Sequence, residues 1–173
     1  MSNSKKIAAL FSMLCKKYDG ADNLGKKASQ KIFYFFERKG IPLNLRYGIH
    51  FFGPYSEKLD TTMHLLESED YINIDTNGLT HVISLGAGQA DMSYLSEEET
   101  KIANEVLDLF AHKTPRELEA LTTLDYIANT ILSGNPTEDE IINNFKKIKG
   151  DKFNQTEINI AMKDLKSEHF VNV

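Results

Sequence analysis

The histidines and the single cysteine are the side chains of this chain best suited to bind a metal or attack a substrate. They are His50, His64, His81, His112, His169 and Cys15. No two of them stand at a His-x-x-x-His or Cys-x-x-Cys spacing, and metal sites need three or four converging ligands. Cys15 follows Phe11 and Leu14 at helical spacing, which is typical of core packing, and no Gly-x-Ser-x-Gly elbow occurs. The sequence therefore predicts no metal, no cofactor and no catalytic constellation.

Basic side chains near the N-terminus could neutralise phosphates. Residues 1–46 carry ten Lys/Arg against three Asp/Glu, a net charge of +7, whereas residues 88–173 carry nine against sixteen, a net charge of -7. The cations that we expect to contact a nucleic acid or a partner are Lys16, Lys17, Lys26, Lys27, Lys31 and Arg46. Such a split influences association and partner choice rather than fold. Solubilising charge, docking of the two halves on each other, and acidic helices covering a basic partner are all open interpretations.

Elements that would position these residues follow from apolar spacing. The pattern predicts a helix from after Ser4 to near Gly20 and a second from Gly25 to Lys39, buried around much of its circumference. Alternation from Leu43 to Phe51 predicts a half-buried strand that Gly53-Pro54 stops, and Ser56 can cap the next helix.

A β-hairpin is predicted from Tyr71 to Leu85. Asn77-Gly78 is the dipeptide that a type I′ turn favours, and folding about it pairs Ile72 with Ile83 and Ile74 with His81. The order helix, helix, strand, helix, hairpin is the outline of a winged-helix-like domain with the hairpin as its wing. In that outline the helix after Ser56 would read the target, so we expect contacts from Tyr55, Ser56, Glu57, Lys58 and Asp60.

Four short helices are predicted in the C-terminal part. Each begins with a cap residue followed three positions later by Glu, at Ser96, Thr114, Thr137 and Asn154. Breaks are expected at Lys113, at Ser133–Pro136 and at Gly150. The glycine-rich segment before them, Gly86-Ala87-Gly88, lacks the Lys-Ser/Thr of a phosphate loop and is interpreted as a linker.

The predicted fold class is α+β, mostly helical, with a winged-helix-like N-terminal part and a C-terminal bundle of short helices. The expected domains are 1–86 and 92–173, joined by a linker at 87–91. We expect no membrane span, because no apolar run approaches about 18 residues. A lone cysteine and an N-terminus without a signal peptide indicate a reducing, cytoplasmic location.

Three stretches resemble the YwgA-type prokaryotic proteins. Leu24–Phe36 is similar to their Gln-Lys-aliphatic-x-Tyr/Phe helix, Phe51–Leu59 to their Tyr-Gly-Pro-Tyr/Phe-Ser junction, and Leu121–Ile127 with Thr137–Ile141 to their closing helices. Phe52 stands where that family often has an aromatic residue with a hydroxyl. The family is distantly akin to the Panacea antitoxin group. The resemblance implies a winged-helix-like core, a prokaryotic or phage setting and a regulatory or neutralising role without catalytic residues.

Three hypotheses for function remain open at this point. The first is a non-enzymatic regulatory or antitoxin-like protein that binds a protein partner, such as a basic nucleic-acid-acting protein or toxin, with DNA binding possible. The second is a winged-helix transcriptional regulator that binds DNA directly. The third is an enzyme of unrecognised type. A homodimer is compatible with each of them.

Overall fold

A computed structural model describes residues 2–18 and 23–173 of the chain. The helices are α1 (Ser2–Lys17), α2 (Lys26–Arg38), α3 (Glu57–Ser68), α4 (Glu97–Phe110), α5 (Pro115–Tyr126), α6 (Glu138–Lys149) and α7 (Gln155–Ser167). The strands are β1 (Gly48–His50), β2 (Gly53–Tyr55), β3 (Ile72–Asn77) and β4 (Thr80–Leu85). A 3₁₀ turn at Met92–Tyr94 and a π-helical turn at Ile127–Ile131 complete the set. The prediction of a mostly helical α+β protein is confirmed, while the predicted helix end near Gly20 lies outside the described residues.

The chain divides into two compact units. Unit 1 comprises Met1–Gly48 and Tyr55–Lys113, and unit 2 comprises Ile49–Pro54 and Thr114–Val173. The predicted linker at 87–91 therefore lies inside unit 1. That 1–86 and 92–173 fold as separate domains stays a prediction.

An aromatic cluster forms the core of unit 1. The run from Ile32 to Phe36 is fully buried, as expected for a helix covered on most of its circumference. The Phe33 ring lies 4.6 Å from that of Phe11 on α1, and the Phe35 ring stacks at 4.0 Å on Phe110 of α4. Stacked and edge-to-face rings add to the free energy gained by burial, so α1, α2 and α4 form one packed group.

The predicted strand from Leu43 to Phe51 is wrong except at Gly48–His50, which form β1. Leu43 and Leu45 are buried as the alternation indicated, but Asn44 and Arg46 between them have φ of 53° and 57°. Residues in this left-handed region cannot continue a strand. Pairing begins only at β1, and Gly53 starts the partner strand β2 rather than ending the first.

The predicted β-hairpin exists as β3 and β4, but its predicted register is wrong. Ile72 pairs with Leu85 and Ile74 with Ile83, a shift of two residues along β4. The two-residue loop is Gly78-Leu79 instead of Asn77-Gly78, with Gly78 at a φ of 64° in the first loop position. Because the shift is even, the same side chains still share a face.

Capping boxes start all four C-terminal helices, as the sequence predicted. Ser96 caps α4, Thr114 caps α5, Thr137 caps α6 and Asn154 caps α7, and each is paired reciprocally with the Glu three residues on. At the start of each helix, two backbone N–H groups that have no carbonyl partner within the helix are hydrogen-bonded in this way. In unit 2, α5 packs against α6 and α7.

Candidate functional site

Ser56 joins the start of α3 to α2 within unit 1. Its N–H donates to Gln30 Oε1 and its carbonyl accepts from Gln30 Nε2, both at 2.9 Å. Its hydroxyl donates to the Leu45 carbonyl at 2.5 Å and accepts from the Leu59 N–H at 3.0 Å. The side chain is completely buried. Ser56 therefore positions α3 and, unlike the sequence-based expectation, offers no atom to a partner.

Four other predicted contact residues surround this helix start. Glu57 and Lys58 are exposed, and the Lys58 ammonium donates to the Asn44 carbonyl at 2.9 Å. Asp60 lies 2.5 Å from the Lys26 ammonium of α2. Tyr55 is half-buried, and its burial, together with Asp60, raises the pKa of its hydroxyl to about 12. The structure thus brings Tyr55, Glu57, Lys58, Asp60 and Lys26 together.

The remaining predicted cations do not join that group. Lys16 and Lys17 lie in the last turn of α1, and Lys17 pairs with Asp108 of α4 at 2.7 Å. Lys27 and Arg46 are exposed on α2 and in the segment before β1. Lys31 is only 3% exposed. A cation that is buried in the unit cannot contact a phosphate, so Lys31 is excluded from a surface patch.

The β3–β4 hairpin, expected to be the wing, presents an exposed tip with few charges. Leu79 at the turn is fully exposed, and its neighbours Thr80 and His81 are exposed as well. Ile72 and Ile83, near the base, are buried. The hairpin is therefore anchored at its base and projects polar and apolar atoms, rather than cations, at its tip.

Unit 2 contains a buried ion cluster that the sequence did not reveal. Glu119 of α5 is 6% exposed. Its Oε1 accepts a hydrogen bond from the Lys149 ammonium at 2.6 Å. The Lys152 ammonium donates to both carboxylate oxygens of Glu119, each at 2.8 Å. Burial alone disfavours the charged carboxylate, but the bonds from both lysines prevail, and the pKa of Glu119 is lowered. Burial lowers the pKa of Lys149, and the contact with Glu119 opposes that effect.

The same cluster holds the turn between β1 and β2. The Lys149 ammonium donates to the Phe51 carbonyl at 2.9 Å, and the Lys152 ammonium lies 4.8 Å from the centre of the Phe52 ring. Gly53 has a φ of 89° and is buried, and a Cβ there would lie 2.6 Å from Thr123 Oγ1. The Phe51 ring is nonetheless 79% exposed. Polar contacts therefore fix a turn whose apolar side chain faces solvent.

Sequence separation explains why this cluster was missed. Lys149 and Lys152 lie 30 and 33 residues after Glu119, the first at the end of α6 and the second in the segment between α6 and α7. No spacing rule links such positions. The one available signal was Gly53-Pro54, which marks the turn but not the charges below it.

Side chains that ligate metals do not cluster in the described part of the chain. No three or more His, Cys, Asp and Glu side chains converge there as metal ligands would. Cys15 is buried, and burial raises the pKa of its thiol to about 12. None of the helices in residues 2–18 and 23–173 combines the length and apolar composition needed to span a bilayer.

No protein-family model matches this chain, and no curated protein matches it significantly.

Proposed function

We propose that this protein is a non-enzymatic regulatory, antitoxin-like protein that binds a basic protein partner, and that unit 1 is a winged-helix-type domain. In this proposal α3 is the contact helix and the β3–β4 hairpin is the wing. The resemblance to the YwgA-type proteins implies the same class of role.

Strand pairing in unit 1 supports the winged-helix part of the proposal. The Ile83 N–H of β4 donates to the Leu24 carbonyl at 2.8 Å, and Gly25 forms an antiparallel bridge with Val82. Leu24 and Gly25 lie directly before α2, between the first two helices. In a winged helix, a short strand at this position pairs with the last strand of the wing. Here that strand is reduced to a single bridge.

The charge of α3 and of the β3–β4 hairpin favours a protein partner over DNA. Residues 57–85, which comprise α3 and the β3–β4 hairpin, contain one Lys, no Arg and six Asp/Glu. Lys58 is the one Lys or Arg on α3, against Glu57, Asp60 and Glu67. Affinity for DNA comes largely from cations that neutralise phosphates. An acidic helix followed by a hairpin without Lys or Arg would repel a phosphate backbone and attract a basic protein surface.

Ion pairs within unit 1 weaken the case for the basic N-terminal residues as a DNA site. Lys5 pairs with Glu69 at 3.5 Å, Lys17 with Asp108 at 2.7 Å and Lys26 with Asp60 at 2.5 Å. Lys6 also contacts Glu99. Part of the +7 charge of residues 1–46 is therefore balanced locally by carboxylates of the same unit. The exposed Lys16, Lys27 and Arg46 are the observation that favours the rival, a DNA-binding regulator.

Capture from an extract of the source cell tests the proposal. The tagged full chain should retain a basic protein at 50 mM salt and release it at 500 mM. Glu57→Lys and Asp75→Lys should each weaken retention, because they reverse charge on the exposed helix start and wing. Glu105→Lys makes the same charge change on the exposed side of α4 and should retain the partner normally. Equal retention by all three variants would contradict the proposal.

A DNA-binding assay distinguishes the proposal from its alternative, a DNA-binding regulator. A labelled 30-base-pair duplex should show no sequence-selective binding to the wild-type chain. Selective binding that falls by roughly 10²–10³ between 50 and 200 mM salt would reveal about 4–6 phosphate contacts. If that binding were also lost on changing Lys16, Lys17, Lys26 and Lys27 to Glu, the protein would be a DNA-binding regulator instead.

A further inference from the structure

A cavity of about 480 Å³ lies in unit 1 beside α1 and the base of the wing. Its lining comes from three places, namely Ala8, Ser12 and Lys16 of α1, Tyr71 and Leu85 at the ends of the wing strands, and residues 86–90 with Met92. Small-molecule sites commonly measure about 300–1,000 Å³. The cavity is therefore large enough for a small organic ligand.

Backbone contacts hold the wall that residues 86–90 form. The Gly88 N–H donates to the Asp70 carbonyl at 2.7 Å, and the Gly86 N–H donates to the Tyr71 carbonyl at 3.0 Å. A Cβ at Gly86 would overlap the Asp70 backbone. Glycine thus permits this close approach, and the small residues of the wall leave the space beside α1 unfilled.

Three polar side chains line the cavity and have no partner among the residues that the structure describes. Ser12, Lys16 and Gln89 make no hydrogen bond or ion pair within residues 2–18 and 23–173. Ser12 and Lys16 are four residues apart on α1, so both lie on the same face. The Tyr71 hydroxyl, by contrast, accepts from the Lys5 ammonium at 2.9 Å. An ammonium and a hydroxyl that both line one cavity suit an anionic group.

Apolar side chains complete the lining. Leu85 is 41% exposed and Met92 is 40% exposed, and such partial exposure leaves apolar surface that a ligand can cover. Methionine adapts its shape readily to different ligands. The cavity thus combines a cationic end with an adaptable apolar wall.

We propose that this cavity binds a small amphipathic anion, a molecule with an apolar body and one carboxylate, phosphate or sulfonate group. Lys16 and Ser12 bind the anionic group, and Leu85 and Met92 contact the apolar body. Tyr71 directly precedes β3 and Leu85 ends β4, so the ligand touches both strands where they enter the wing. The proposal does not rest on the identity of the protein partner.

Titration with 1-anilinonaphthalene-8-sulfonate, followed by competition with decanoate, tests this site on the full chain. Saturable binding at one site is expected, and decanoate should displace the probe. Lys16→Gln should weaken binding about tenfold, because a charge-assisted hydrogen bond is lost. Lys147→Gln removes an exposed lysine from α6 in unit 2 and should leave binding unchanged.

Methyl NMR locates the bound probe independently of any variant. With labelled Met and Ala methyl groups, the signals of Ala8, Ala87, Ala90 and Met92 should shift on adding decanoate, while that of Met162, buried in unit 2, should not. Shifts confined to other methyl groups would overturn the proposal. So would the absence of saturable binding, or wild-type affinity in a Lys16→Gln chain with an unchanged circular-dichroism spectrum.

Discussion

The Lys149 ammonium donates a 2.9 Å hydrogen bond to the carbonyl oxygen of Phe51, a residue 98 positions earlier in the chain. The same ammonium lies 2.6 Å from Glu119 Oε1. The Phe51 ring itself is 79% exposed. A buried ion cluster, and not burial of the Phe51 ring, therefore fixes the conformation of this turn.

Replacing Lys149 with Met should lower the free energy of unfolding by about 2–4 kcal/mol. The change removes one partner of a buried ion pair and leaves the Phe51 carbonyl without its donor. Lys152 still binds Glu119. The loss of stability is therefore smaller than it would be if the buried carboxylate had no cationic partner at all. Urea unfolding measures the difference, and Lys147→Met on the exposed side of α6 is the control, with an expected change under about 0.5 kcal/mol. Equal stability of the two variants would argue against a structural role for the cluster.

Replacing Gly53 with Ala should destabilise the protein more than replacing Gly134 with Ala. Both glycines have positive φ, 89° and 76°, so both changes introduce backbone strain of about 1 kcal/mol or more. A Cβ at Gly53 also meets Thr123 Oγ1 at 2.6 Å, whereas nothing lies within 4 Å at Gly134. The expected difference is about 1–3 kcal/mol by chemical denaturation. In a Thr123→Ala background, Gly53→Ala should destabilise the protein by an amount closer to that of Gly134→Ala, because the overlap is removed. If the difference between the two glycine variants persists there, backbone strain and not overlap with Thr123 is its cause.

Cys15 should resist modification in the native protein. It is 8% exposed, and burial raises the pKa of its thiol to about 12. The reactive species is the thiolate, so Ellman's reagent at pH 8 should label the folded chain very slowly and the chain in 6 M guanidinium within seconds. Rapid stoichiometric labelling of the folded protein would show instead that the α1 core opens readily.

Local rules predicted the elements where a few neighbouring residues decide the backbone. The four capping boxes are of this kind, because Ser96 and its equivalents bond within their own first turn. The strand at 43–51 failed because Leu43 and Leu45 alternate with Asn44 and Arg46, whose positive φ no alternation rule can detect. The predicted register of the β3–β4 hairpin was wrong by two residues because Gly78, not Asn77, begins the loop.

Tertiary packing decided the parts of the candidate site that could not be predicted. Lys31 was counted as a surface cation, but it is buried. Ser56 was expected to meet a partner, and Gln30 on α2 occupies its backbone groups instead. Helical spacing describes one helix at a time, so it cannot show which face another element covers.

Lowering the pH should remove the stabilisation that Glu119 provides. The pKa of this carboxyl is lowered in the folded protein, although burial opposes the shift, because Lys149 and Lys152 bind the charged form. A lowered pKa in the folded state means that the unfolded chain binds the proton more tightly. The contribution is therefore complete above the ordinary value of 4.5 and is lost as the pH falls below it.

Comparison with Glu119→Gln isolates this contribution from that of other carboxyls. Glu157 has a lowered pKa as well, through its bond with Arg116, and it titrates in both proteins. The difference in the free energy of unfolding between wild type and Glu119→Gln should be constant from pH 7 to about 5 and should shrink toward pH 3. A carbon-13 titration of the Glu119 carboxyl in the folded wild type provides the direct measurement. A midpoint at or above 4.5, or a difference that does not change with pH, would show that the two lysines do not stabilise the charged form.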